Sequence, residues 1–165
     1  GLAKVSASEL LDFKGLGKAK AAQILAALAL GQRASMLQPE ERPVIKRAAD
    51  AAQILADMGH LTQEQVRVML LDSQRRVTHI HTVYIGTVNM SVLRVSELYR
   101  EAIVRNSPAM ILAHNHPSGD PKPSEEDIEV TQGLIKCGKV LGIEVLDHIV
   151  IGKNKYFSLR EKGYF

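Results

Sequence analysis

Two histidines one residue apart, followed eleven positions later by an aspartate, are the residues most able to do chemistry in this chain. They are His114, His116 and Asp127, all within "HNHPSGDPKPSEED", which Asp127 closes. Side chains two apart on a strand point the same way, so imidazoles at this spacing can converge on one ion. Pro117, Pro121 and Pro123 stiffen the loop between histidines and aspartate and lower the entropy cost of holding the three together. Two imidazoles and a carboxylate suffice for a catalytic zinc that keeps one position open for water. A Ser-x-x-Asp at a helix start is also the ordinary capping arrangement, so Ser124 and Asp127 have a structural reading as well. His79 and His81 repeat the spacing without a proline-stiffened carboxylate nearby, and His148 lies in an apolar run that suits a hydrogen-bonded core histidine. His60 follows a glycine and is expected to be exposed.

These residues need elements to position them. "AMILAHNH" reads as a buried strand ending at the histidines, and "SEEDIEVTQGLIKCGKVLG" as a helix capped by Ser124. "EQVRVMLLD" and "RRVTHIHTVYIG" flank Asp72-Ser73-Gln74 and read as a β-hairpin, while "IEVLDHIVIG" and "KYFSL" read as closing strands. "VIKRAADAAQILADMG" reads as an amphipathic helix stopped by Gly59, and "SELYREAIVRN" as a helix capped by Ser96. Strands and helices interleave, so the fold class expected is α/β, a mixed sheet flanked by helices.

Upstream, "SASELLDFKGLGKAKAAQILAALALG" predicts a short helix capped by Ser8, a turn at Gly15-Leu16-Gly17 and a second helix ending near Gly31. The organisation expected is therefore a small all-α segment over 1–35, a linker over 36–42 and the α/β domain over 43–165. The net charge of +3 is concentrated in the first piece: Lys4, Lys14, Lys18, Lys20 and Arg33 face only Glu9 and Asp12 before residue 37. That asymmetry points to an anionic partner for the segment alone.

With 165 residues, 45% of them hydrophobic, the chain can bury one ordinary core and a small second unit. No apolar run is long enough to span a bilayer, and "GLAKVSASEL" lacks the apolar core of a signal peptide. With the lone Cys137, this leads to an expected cytoplasmic location. A first residue of Gly1 rather than methionine is expected of a partial or processed chain.

His-x-His-Pro, six residues, Ser, two residues and Asp resembles the signature of the JAMM (MPN+) metalloproteases, with His114, His116, Pro117, Ser124 and Asp127 filling its defined positions. "ILAHNHPSGDPKPS" and "VLDHIVIG" narrow the resemblance to bacterial RadC-like proteins, over about residue 43 to the C-terminus. What the resemblance implies is an MPN/JAMM-like fold with cytidine-deaminase-like layering. It also implies one zinc per chain held by His114, His116 and Asp127, and cleavage of a peptide or isopeptide bond in a peptide or protein substrate by a zinc-activated water. Glu64, opening "EQVRVMLLD", is the general base by that resemblance, ahead of Glu97 and Glu101, and Ser124 is an oxyanion donor. Asn115, facing away from the histidine pair by alternation, receives no chemical role. "FKGLGKAKAAQIL" resembles a helix-hairpin-helix, which implies sequence-independent DNA contact through Gly15, Gly17, Lys18 and Lys20. Two other functions stay open: a DNA-repair-associated DNA-binding protein with a structural or vestigial metal site, and a metal-dependent nuclease.

Overall fold

The computed structural model describes residue 6, residues 9–10, residue 13, and residues 16–36, 42–86 and 94–165. Two compact units are present, Gly1–Arg42 and Pro43–Phe165. In the first, Ser6 and Glu9 form a reciprocal cap: the Glu9 carboxylate accepts from Ser6 N–H at 2.7 Å, and Ser6 Oγ accepts from Glu9 N–H at 3.3 Å. The predicted cap at Ser8 lies outside the described residues. Helix α1 spans Lys18–Met36 and so runs past Gly31, where a helix end was expected, and into the expected linker. A single glycine costs a helix only about 1 kcal/mol, and the flanking alanine, leucine, glutamine and arginine favour continuation.

The second unit is built on a sheet ordered β2-β1-β3-β4-β5. Strands β1 (Gln65–Leu71) and β2 (Val77–Ile85) form the expected hairpin. Strand β3 (Ala109–Asn115) lies antiparallel to β1 and parallel to β4 (Glu144–Gly152), and β5 (Lys155–Ser158) closes the sheet against β4. Alternation along β1 and β3 sorts two cores. Met69, Leu71, Ile111 and Ala113 pack on α2 (Ala48–Ile54). Val66, Val68, Met110 and Leu112 pack on the other face, against α3 (Val95–Val104) and α4 (Glu125–Leu141). This is the mixed sheet flanked by helices that the residue pattern predicts. No helix among the described residues is long and apolar enough to cross a membrane.

Helix boundaries differ from expectation where tertiary contacts intervene. Val44 is drawn into a β-bridge with Arg76, so α2 begins only at Ala48. Gly59 does not stop that helix; it sits inside a 3₁₀ turn, Ala56–His60, because its bare Cα lies against the end of β4. A Cβ there would come within 2.7 Å of the Gly152 carbonyl oxygen. Ser96 is not a cap either: α3 starts at Val95 with Arg94 in the cap position. Helix α4 is capped by Ser124 as expected and ends on Gly142 in the left-handed conformation that glycine favours.

The loop after β3 is pinned to the end of β4. His116 N–H donates to Ile151 O at 3.0 Å and Lys153 N–H to Gly119 O at 3.1 Å. A Cβ on Gly152 would lie 2.5 Å from Gly119 O and 2.9 Å from Pro121 Cδ. Proline stiffness is therefore joined by a backbone contact that only glycine permits. Gly152→Ala is expected to destabilise the fold by about 1–3 kcal/mol, as overpacking does, and to weaken any metal binding that depends on the loop by displacing it. Chemical denaturation and metal analysis on the purified variant check both, and wild-type values in each would contradict the contact's importance.

Candidate metal centre

The connection β3–α4–β4 is a parallel crossover, so the C-terminal end of β3 and the N-terminal end of α4 meet at one edge of the sheet. Histidines ending the strand and an aspartate in the helix's first turn are thereby brought together. His114 Nε2 lies 3.1 Å from His116 Nε2 and 3.3 Å from Asp127 Oδ1, and His116 Nε2 lies 3.7 Å from Asp127 Oδ2. A tetrahedral ion with bonds of about 2.0–2.1 Å needs ligand atoms about 3.3 Å apart, so these three fit zinc. His114 and Asp127 are buried, whereas the His116 side chain keeps 20% of its surface exposed, which leaves an approach from solvent. Among the described residues no other cluster of three such side chains converges.

Each of the three side chains is held from behind. Asp127 Oδ2 accepts from Ser124 N–H at 2.7 Å and from Ser124 Oγ–H at 2.8 Å, while Ser124 Oγ accepts from Asp127 N–H at 3.1 Å. The capping box thus fixes one carboxylate oxygen and turns the other toward His114. Burial acts to raise the Asp127 pKa, but His114 and the Ser124 donors together outweigh it and hold the group below the usual carboxylate range. His116 Nδ1–H donates to Asp120 O at 2.8 Å, which frees the Nε2 lone pair for the cluster.

Behind His114 runs a chain of three hydrogen bonds. His114 Nδ1 meets His148 Nε2 at 2.8 Å, His148 Nδ1 meets Thr131 Oγ1 at 2.6 Å, and Thr131 Oγ1–H donates to Asp127 O at 2.6 Å. Since the Thr131 proton goes to a carbonyl, His148 Nδ1–H must donate to Thr131. His148 Nε2 is then the acceptor, His114 Nδ1–H the donor, and His114 Nε2 is left bare to ligate. This tautomer chain requires a neutral His148, and burial, with repulsion from His114, lowers its pKa well below the usual range. The sequence reading takes His148 for a core histidine, which it is, but misses its contact with the site. The signal was a polar Asp147-His148 pair inside an apolar strand. Thr131, one helical turn after Asp127, gave no separate signal.

A family model for the RadC-like JAB domain matches residues 45–164. The chain belongs to the RadC-like JAB domain family. Relatives of this RadC-like chain carry the name UPF0758 protein. That of Roseiflexus castenholzii is 48% identical over 164 residues, covering 99% of this chain and 70% of the relative. Those of Chloroflexus aurantiacus and Bacillus licheniformis are 49% and 50% identical over 164 residues, each covering 99% of this chain and 72% and 73% of the relative.

Other predicted residues of the RadC-like chain are placed as follows. Glu64 immediately precedes β1, is half-buried, and its carbonyl accepts from Gly86 N–H at 3.0 Å. Val66 pairs with His114 across the sheet, and strand alternation carried back two residues assigns position 64 to the same face as Val66. Glu97 is exposed, and Glu101 is engaged by Arg105 at 3.0 Å. His79 and His81 stack with ring centroids 6.3 Å apart and do not join the cluster. His60 is exposed as expected. In the N-terminal unit, Gly17 and the first-turn residues Lys18 and Lys20 are exposed, while Gly15 lies outside the described residues.

Thr131→Val removes the acceptor for His148 without changing volume, and should weaken metal binding at this cluster about 10- to 100-fold, as loss of a ligand's supporting partner does. Competition with a chromophoric chelator reads this directly. Unchanged affinity would show that the relay does not orient His114.

Proposed function

We propose that this RadC-like chain is a zinc-dependent hydrolase of peptide or isopeptide bonds. The observation that carries the reading is the convergence of His114 Nε2, His116 Nε2 and Asp127 Oδ1, with the remaining polar atoms of all three side chains already engaged. A set so prepared, with one ligand facing solvent, suits a site where one position is left for a reactant. Zinc held there would supply Lewis-acid polarisation of a carbonyl and acidify water.

The chain's own residues supply the rest. Glu64 would take a proton from the attacking water as its oxygen bonds to the carbonyl carbon, and return it to the nitrogen as the C–N bond breaks. Ser124 directs its hydroxyl proton at Asp127 Oδ2, which supports a part in holding that ligand. Donation to an oxyanion as well would require the proton to leave Asp127. The open side at His116 is where an extended substrate would enter.

Wild-type chain purified without a histidine tag is expected to carry about one zinc, and the His114→Ala, His116→Ala double substitution to lose it, by elemental analysis. Near-stoichiometric zinc in the variant would remove the site assignment. Glu64→Gln should keep zinc but slow cleavage of a proteome-derived peptide pool at least about 100-fold, the scale of general-base catalysis. New amine ends counted by mass spectrometry provide the rate, and an unaltered rate would assign the base elsewhere.

A further inference from the structure

Asn115 closes β3 on the face opposite the histidine cluster and is fully buried. Backbone pairing between β1 and β3 runs from Leu71↔Ala109 to Val66↔His114 and stops there. In the same register the next pair would be Gln65 with Asn115, and at that point the asparagine side chain takes over from the backbone. Its Oδ1 accepts from Gln65 N–H at 2.8 Å, and its Nδ2–H donates to Gln63 O at 3.1 Å. A carboxamide has the donor and acceptor of a peptide group. Here it extends the ladder by one rung and grips the residue on each side of Glu64.

The grip is more than the satisfaction of a buried amide. Both bonds end on the two peptides that flank a single residue, between partners 50 and 52 positions distant in the chain, and that residue's own carbonyl is fixed from the other side by Gly86 N–H. Glu64 is therefore clamped between β2 and the side chain that directly follows a metal ligand. A backbone shift at Gln63 or Gln65 would swing the Glu64 carboxylate, while His114, held by His148 and by β1 pairing, would stay in place.

We infer that Asn115 is a positioning residue for Glu64, tying the general base to the strand that carries the metal ligands. The inference rests on the proposed hydrolase reading and on Glu64 as its base. It explains why a polar side chain occupies the apolar face of a strand otherwise filled by Ala109, Ile111 and Ala113.

The test is a double-substitution cycle on zinc-loaded chain: wild type, Asn115→Ala, Glu64→Gln and the combination. The substrate is whichever single peptide of the proteome-derived pool the wild type cleaves fastest. Asn115→Ala should retain one zinc and lower kcat about 10- to 100-fold with KM unchanged, the scale of a misplaced catalytic group. In the combination the losses should not multiply, because with Glu64 gone there is nothing left to position. Multiplying losses would overturn the inference, as would loss of zinc from Asn115→Ala, which would make the residue a support of the ligands. Full activity in Glu64→Gln alone would instead bring down the base assignment and this inference with it. Should the alanine variant not fold, Asn115→Asp keeps the acceptor for Gln65 N–H and is expected to lose less of kcat than the alanine change, again with KM unchanged; a wild-type kcat would overturn the inference. If the wild type cleaves no peptide, the hydrolase reading fails on its own. Amide exchange then tests the clamp: Gln65 N–H should exchange faster in Asn115→Ala, and wild-type protection there would overturn the proposal outright.

Discussion

The site depends on one topological constraint, the pairing of β3 on both its edges with opposite sense. Antiparallel to β1 and parallel to β4, β3 brings its own C-terminal end, the start of β1 and the end of β4 to a single edge of the sheet. The parallel neighbour demands a crossover, and α4 provides it, so the first turn of α4 arrives at the same edge. The histidines and the aspartate meet for this reason, and the glutamate before β1 precedes the strand end that lies at the same edge. A shift of one residue in the β1/β3 register would turn His114 to the α2 face and dismantle the site.

Burial at that edge sets the second condition. His114, Asp127, Thr131 and His148 are nearly or wholly removed from water, and polar groups so placed are costly unless paired. They are paired, and no buried side-chain donor or acceptor among the described residues lacks a partner. Because each partner is itself fixed, the network permits one tautomer for His114 and for His116, and one orientation for the Asp127 carboxylate. The N-terminal end of α4 adds favourable partial positive charge near that carboxylate. Ser124 joins the two requirements, since the bonds that start the helix are the same bonds that aim the ligand.

Much of this was legible in the residues. Val- and Ile-rich and short apolar runs mark the strands, Asp72-Ser73-Gln74 marks the hairpin turn, and Ser124 caps α4 as expected. The errors have a common cause. Gly59, Ser96 and Gly31 are residues with strong local preferences, and local preference alone predicts a stop, a cap and a helix end at these positions. Gly59 is needed for a close approach to Gly152, Ser96 falls inside a helix begun by Val95, and Gly31 is outweighed by its neighbours. Alternation shows which face the Asn115 side chain takes but not that the backbone at Gln63 and Gln65 lies within its reach.

The sequence by itself determined two histidines and an aspartate, their spacing and the strand and helix that carry them, because these follow from short apolar runs and capping over a few residues. It also determined membership of the RadC-like JAB family, through motif positions that any chain folding this way can display. Tertiary structure alone decided that His114 Nε2 stands 3.1 Å from His116 Nε2 and 3.3 Å from Asp127 Oδ1, that His148 and Thr131 orient His114, and that Asn115 reaches back to the residues flanking Glu64. Those contacts join segments far apart in the chain, and local preference carries no information about them until the sheet has set its register.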